Sequence, residues 1–321
     1  MTEITIKKND AEQRADRFLS KAYPNLKSSL VCKLMRKKRI KLNGAKAEPN
    51  VILKEGDVLR FYLSDELLAK EPISREFELS DISAEINVIY EDDNILLIDK
   101  PAGLVVHEDN DNSVDTLINR VLSYLYQKGE YVPERENSFV PALVNRIDRN
   151  TSGIVIAAKN AEALRILNQK VRDREIQKLY LCEVIGTPKP EAATMTAYLK
   201  KLADENRVVI SDKRQDGFLT IKTKYRVLKS SGELSLVEVD LLTGRTHQIR
   251  AHFAHIGHPL LGDGKYGDNA VNKRYHVKTQ ALCSYKLVFK FTTDAGALEY
   301  LNGKEFSARE EDAIWFVTRF H

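Results

Sequence analysis

Five consecutive apolar residues, Ile154-Val155-Ile156-Ala157-Ala158, mark the middle of the chain. Similar short stretches recur at 88–90, 95–98, 180–185, 208–210, 219–227, 234–242 and 285–291, several with strict apolar–polar alternation. Runs of this length, bounded by turn residues such as Glu91-Asp92-Asp93-Asn94, predict strands. A helical spacing of apolar residues appears at 11–22, where Ala15, Phe18, Leu19 and Ala22 share one face. Ser28-Ser29 is placed to cap a second helix through Leu30, Val31, Leu34 and Met35. Further helices are predicted at 114–126, 161–171, 245–256 and 310–319. Strands outnumber helices, and several follow one another directly. The fold class expected is therefore α+β, with a mixed, largely antiparallel sheet and flanking helices. No internal repeat or low-complexity tract interrupts the pattern.

The texture changes twice. Residues 1–63 read as helix, turn, helix and short strands, with Ile40-Lys41-Leu42, a turn at Asn43-Gly44 and a closing strand near 56–63. Residues 64–81 hold Asp65, Glu66, Glu71, Pro72, Glu76 and Glu78 and little periodic apolar content, and read as a linker. From Ile82 to the end the strands and helices of a larger unit follow. A chain of 321 residues accommodates such a small and a large domain.

Charge sharpens this division. The total is only +4, but Arg14 to Arg60 contains thirteen Lys and Arg against four Asp and Glu. The remainder is net acidic. A basic module joined to a mildly acidic body suggests a polyanion-binding attachment. The first residues contain no signal-peptide pattern, and no apolar stretch is long enough for a membrane helix. Cys32, Cys182 and Cys283 are scattered and form no CxxC pair, so no disulfide framework or cysteine zinc site is expected. A reducing, cytoplasmic location is the corresponding expectation.

Three clusters hold candidate chemistry. The first is Asn145-Arg146-Ile147-Asp148-Arg149-Asn150-Thr151-Ser152-Gly153, just before the apolar strand. Cations near Asp148 favour its ionised form, which can act as nucleophile or base; a salt-bridged loop is the plainer alternative. The second is Lys178-Leu179-Tyr180-Leu181-Cys182, where alternation puts Tyr180 and Cys182 on one strand face. Tyr180 is either core or a platform on which a base stacks. The third runs from Thr243-Gly244-Arg245-Thr246-His247-Gln248-Ile249-Arg250-Ala251-His252 through Gly257-His258-Pro259-Leu260-Leu261-Gly262-Asp263-Gly264-Lys265-Tyr266-Gly267. A strand ends at Gly244 and a helix is expected to begin there, with N–H groups that suit an anion. His247, His252, His255 and His258 lack metal-ligand spacing, so no metal is expected.

Together these clusters resemble the RluA family of pseudouridine synthases. Its His-Arg-Leu-Asp-x-x-Thr-Ser-Gly run corresponds to 145–153, and its Lys-x-Tyr strand to Lys178 and Tyr180. Its Thr-Gly-Arg-Thr-His-Gln-Ile-Arg-x-His run corresponds to 243–252, with Gly-x-Pro-Leu-x-Gly-Asp at 257–263. A Lys-Pro-x-Gly-x-x-x-His run matches Lys100, Pro101, Gly103 and His107. The basic module resembles the small RNA-binding domain first known from ribosomal small-subunit protein four. There a basic helical face docks on RNA, which Lys33, Arg36, Lys37 and Lys38 supply here, with salt-sensitive phosphate contacts.

The resemblance implies an isomerase that converts selected uridines of RNA to pseudouridine without cofactor or metal. Asp148 matches the aspartate that starts cleavage of the base–sugar bond. Tyr180 matches the tyrosine that stacks on the base and helps remove its C5 proton, and Arg250 the arginine that pairs with the aspartate. Arg146, Arg245 and His247 are loop anchors or RNA contacts by the same analogy. Large-subunit ribosomal RNA is the expected substrate and a monomer the expected state. The alternatives are a transfer RNA substrate, or a catalytically silent RNA-binding or ribosome-assembly factor. Four positions depart from the family: Asn145 replaces His, Ile147 replaces Leu, Glu108 after His107 replaces a common Pro, and Cys283 stands where many relatives have His.

Overall fold

The computed structural model describes residues 2–69, 79–108, 114–202, 205–309 and 316–320. Two sheets organise them. The amino-terminal sheet has four strands, β1 (Thr2–Thr5), β2 (Ile40–Leu42), β3 (Ala45–Lys46) and β4 (Val58–Phe61), in the spatial order β1-β4-β2-β3. Helices α1 (Ala15–Ala22) and α2 (Ser28–Arg36) cover it. Phe18, Leu19, Leu26, Val31, Met35, Ile40, Leu59 and Phe61 form its fully buried core. Asn43 and Gly44 both take positive φ, 50° and 78°, as the tight turn joining β2 to β3 requires. Helix α1 starts at Ala15 because the preceding residues pair with 51–53, with Glu12 N–H donating to the Leu53 carbonyl (2.8 Å). Lys27, and not a serine, occupies the cap position of α2, and Ser28 is its first helical residue.

The second sheet has eleven strands: β5 (Asn87–Glu91), β6 (Ile95–Lys100), β7 (Ala142–Leu143), β8 (Ser152–Ala158), β9 (Ile176–Ile185), β10 (Ala192–Leu202), β11 (Arg207–Ser211), β12 (Leu219–Ser231), β13 (Leu234–Leu241), β14 (Leu282–Phe289) and β15 (Glu305–Ser307). Its main path is β11-β10-β12-β13-β9-β14-β8-β6-β5, with β7 beside β8 and β15 beside β14. Among the described strands, only the β14–β8 pairing is parallel. The expected α+β class with a largely antiparallel sheet is thus borne out. Helices α3 (Leu117–Gln127), α4 (Ala161–Arg172), α5 (Gln248–His255) and α6 (Asn269–Arg274) accompany the sheet. Helices α3 and α5 cover one face, packing on Tyr180, Cys182, Val184, Val237 and Val239. Helix α4, residues 296–301 and Phe316 and Phe320 cover the other, over Ile154, Ile156, Leu181, Leu287 and Phe289. Strand β8 is buried along its whole length, which explains its unbroken apolar run.

Several expectations change. Strand β10 is absent from the expected elements, because Ala192-Ala193-Thr194-Met195 carries little strand preference; pairing with β12 on one side and β11 on the other imposes it. Helix α3 begins at Leu117, where the Thr116 hydroxyl accepts from Asn119 N–H (3.3 Å). Asp268 caps the unexpected α6 in the same way (2.8 Å). Of the helix predicted at 310–319, residues 310–315 lie outside the described residues, and Val317–Phe320 form a 3₁₀ turn. Residues 70–78 of the expected linker also lie outside them. Its end does not behave as a spacer: Leu79 is buried in the α3 core, and Ser123 Oγ donates to the Leu79 carbonyl (2.8 Å). No helix among the described residues is long and apolar enough to cross a membrane.

Two features position the rest. Gly153 has φ +107°, and a Cβ there would lie 2.3 Å from the Ser284 carbonyl oxygen, so the parallel β8–β14 contact requires glycine. The amino-terminal sheet is fastened to the larger body through Asp10, which is fully buried. Its carboxylate accepts from Asn137 Nδ2 (2.7 Å) and Ser138 Oγ (2.8 Å). Asn9 adds Nδ2 to Glu136 (3.2 Å) and accepts from Ala161 N–H (3.2 Å) at the start of α4.

Candidate active site

Asp148 lies on the loop between β7 and β8, where Thr151 N–H donates to the Asp148 carbonyl (3.0 Å) and closes a tight turn. The loop is clamped from the next strand. Lys100, at the end of β6, is fully buried, and its Nζ donates to the carbonyls of Pro101 (2.7 Å), Leu104 (2.7 Å) and Arg149 (2.9 Å). Those three bonds use every hydrogen of the ammonium. Burial pulls Lys100 down to about 7, against the fields of Asp148 and Asp99. Asn145, the departure from the family His, fixes the other side: its Oδ1 accepts from Ile156 N–H (2.8 Å) on β8.

The cation that touches Asp148 is not a sequence neighbour. Arg146 and Arg149 are both exposed. Arg250, 7% exposed on α5, donates from Nη1 to Asp148 Oδ2 (2.8 Å). Its Nε and Nη2 grip Asp263 as a fork, at 2.7 and 2.9 Å. Burial disfavours this guanidinium's charge, but Asp263 and then Asp148 outweigh it and raise its pKa above the ordinary value. Asp263, with no exposed surface, also accepts from the N–H groups of Lys265 (2.8 Å) and Tyr266 (3.1 Å). Its burial penalty is outweighed by Arg250, which holds it below the usual carboxylate range.

Helix α5 begins at Gln248, later than Gly244. His247 takes a left-handed φ of 52°, and the Gln248 side chain folds back to accept from Arg245 N–H (3.2 Å) and Thr243 Oγ1 (2.9 Å). The anion site expected at this helix start is therefore filled by the protein's own side chain. The turn presents His247, whose Nδ1 meets the Tyr266 hydroxyl at 2.9 Å while Nε2 faces Asp148 at 3.9 Å. Burial drives His247 down to about 4, despite Asp148, so the ring is neutral at physiological pH. Tyr180, on β9, is 5% exposed, and burial pushes its phenol up to about 12.

These groups line one cleft of about 830 Å³, a volume suited to a small-molecule-sized guest. Asp148, Tyr180, Arg250 and His247 share it, with Arg146 and Arg245 exposed along its edge. Lys33, Arg36, Lys37 and Lys38 are exposed at the carboxyl end of α2 and do not line it. The four histidines go to separate partners: His252 to Thr223, His255 to Asp212 and His258 to the Ile185 carbonyl, each at 2.9 Å. Among the described residues no group of His, Cys, Asp and Glu is arranged to hold a metal. Cys182 and Cys283 are buried, and burial raises both thiols, Cys283 to about 12. Sequence reasoning gave no role to Lys100, Asp263 or Tyr266. Each lay inside a quoted motif, but only the fold shows what it grips.

Comparison with known proteins agrees with this geometry. The family model described as RNA pseudouridylate synthase matches residues 94–255. A relative from Aquifex aeolicus, named an uncharacterized RNA pseudouridine synthase, is 34% identical over 82% of this chain and 80% of its own length. One from Vibrio cholerae, named ribosomal large subunit pseudouridine synthase C, is 32% identical over 83% and 80%. Human RNA Pseudouridylate Synthase Domain Containing 4 has a similar fold, with a TM-score of 0.55 at 20% identity over 73% of this chain and 91% of that one. On these matches the chain belongs to the RNA pseudouridylate synthase family, in its RluA type, and is an RNA-modifying isomerase.

Proposed function

We propose that the enzyme isomerises specific uridines of large-subunit ribosomal RNA, with Asp148 as the group that initiates cleavage of the base–sugar bond. The observation that carries this reading is the 2.8 Å contact of Arg250 with Asp148 in a cleft that Tyr180 also lines. Arg250 orients one carboxylate oxygen, and the other remains for the sugar. The uridine must leave its stack to reach it, at about a few kcal/mol. The bond from N1 to the sugar C1′ breaks, the base turns, and C5 bonds to C1′. The C5 proton is lost to solvent and N1 gains one, so nothing is consumed overall. Ribosomal RNA is favoured by the relatives named for the large subunit and by the basic α2 end. The reading places the enzyme in the cytoplasm as a monomer. Mapping pseudouridines in total RNA from cells lacking the gene tests it. Sites lost from ribosomal RNA support it; sites lost only from transfer RNA transfer the assignment, and no lost site favours an assembly factor.

Burial favours the neutral Tyr180 phenol, which suits stacking, and the hydroxyl must shed its own proton before it can take one from C5. Tyr180→Phe is expected to bind RNA normally and slow turnover by about 10²-fold or more, the usual weight of a positioned acid or base. Release of tritium from C5-labelled uridine in RNA reads this directly. Wild-type rates would show the hydroxyl to be dispensable.

Replacing Lys33, Arg36, Lys37 and Lys38 by Gln is expected to weaken RNA binding and flatten its salt dependence, by about 0.7–0.9 log units for each phosphate left without its cation. Titration at several salt concentrations measures this. An unchanged slope would remove the docking role from α2.

A further inference from the structure

Lys178 is a half-buried charged side chain of the cleft that the chemistry above leaves unused. Lys178 is two residues before Tyr180 on β9, so both project from the same strand face and both line the cleft. It is half-buried, and burial lowers its pKa with no opposing contribution from a carboxylate. Two other cations of the cleft are engaged. Arg250 serves Asp148 and Asp263, and Lys290 donates to Gln177 Oε1 (2.6 Å). Among the described residues, no hydrogen-bonding or ion-pairing partner engages the Lys178 ammonium. A desolvated cation held without a partner destabilises the free protein, and such an arrangement persists where a ligand completes it.

We propose that Lys178 grips the phosphodiester next to the extruded uridine, and that Arg174 and Arg172 carry the following phosphates out of the cleft. The inference rests on the reading that the cleft receives a flipped uridine. Two residues of strand span ~6.8 Å, roughly the reach from a base lying against Tyr180 to its own backbone. A phosphodiester supplies the full negative charge that an unpaired ammonium lacks, whereas a uracil carbonyl supplies only a dipole. Beyond Lys178 the same wall continues into the turn between α4 and β9. Arg172 and Arg174 are exposed there and line the cleft, with Arg174 fixed in a left-handed conformation of φ 62°. All three cations line the cleft, Lys178 half-buried and the two arginines exposed.

The test compares full-length wild type, Lys178→Met and Lys178→Arg. The substrate is RNA from cells lacking the gene, tritiated at uridine C5. Lys178→Met should raise KM tenfold or more while kcat changes far less, and flatten the slope of log KM against log salt by about 0.7. Lys178→Arg should return KM to within about threefold of wild type. Lys178→Met should also melt at a higher temperature than wild type, because an uncompensated charge has been replaced by an apolar chain. An unchanged KM, a loss confined to kcat, or a lowered melting temperature would overturn the inference. Asp148→Ala serves as the reference. If that variant keeps its turnover, the active-site reading fails; if it is dead and Lys178→Met is unaffected, only the phosphate grip fails.

Discussion

Replacing Asp148 by Ala is expected to reduce pseudouridine formation by ~10⁴-fold or more, the scale seen when an enzyme loses its reacting nucleophile. The loss should be chemical and not structural. Asp148 is about a quarter exposed, and Arg250 remains held by both arms on Asp263 when the Asp148 carboxylate is removed. Lys100 and the Thr151 turn fix the loop through backbone atoms, which the substitution does not touch. Stability should therefore change by no more than about 1 kcal/mol, and RNA should bind almost as before. Asp148→Asn is the sharper variant, since its amide oxygen can still accept from Arg250 and only the charge and nucleophilicity are lost. Tritium release and a binding titration on the same preparations separate the two properties. Turnover of Asp148→Asn within tenfold of wild type would defeat the assignment.

Arg250→Met should remove activity and much of the stability together. Arg250 is 7% exposed and joins two carboxylates, of which Asp263 has no exposed surface. Without the guanidinium, Asp263 keeps only the N–H groups of Lys265 and Tyr266. Breaking a buried pair from one side costs about 3–5 kcal/mol. Arg250→Lys should also be inactive, because an ammonium cannot present a fork to Asp263 and a third bond to Asp148. Replacing Arg250 and Asp263 jointly by Met and Leu should restore much of the stability and none of the turnover. The acid response gives an independent check. Asp263 is held below its ordinary pKa of 3.8, so its contribution is present above that pH and lost as pH falls through the depressed value. In Arg250→Met that acid-induced loss should shrink. Urea unfolding at pH 7 and pH 3 measures both effects, and equal stability of wild type and Arg250→Met at pH 7 would refute the structural half.

The parts of the fold that are legible in the sequence are those where a local pattern and its burial agree. Strand β8 reads as buried because it is buried on both sides, and α1 reads as a helix because one face packs on the amino-terminal sheet. Strand β10 does not, since its residues take strand form from pairing partners far along the chain. The same divide runs through the active site. Asp148, Tyr180 and Arg250 are recognisable as motif residues. That Arg146 and Arg149 turn outward while Arg250, more than a hundred residues away, meets Asp148 depends on how α5 packs against Thr223 and Tyr225. The helix start expected at Gly244 is misplaced for a related reason. A glutamine side chain there competes for backbone groups, and a residue type alone gives no sign of its hydrogen-bond partner.

The buried Asp10 latch sets the span between the basic tip of α2 and the Asp148 cleft before any RNA arrives. Little orientational freedom is then left to lose on binding, which favours tight engagement of a correctly shaped target. With α2 docked on RNA as proposed, the molecule is also a ruler: a uridine lying at a different distance from that helix, however accessible, falls outside its reach.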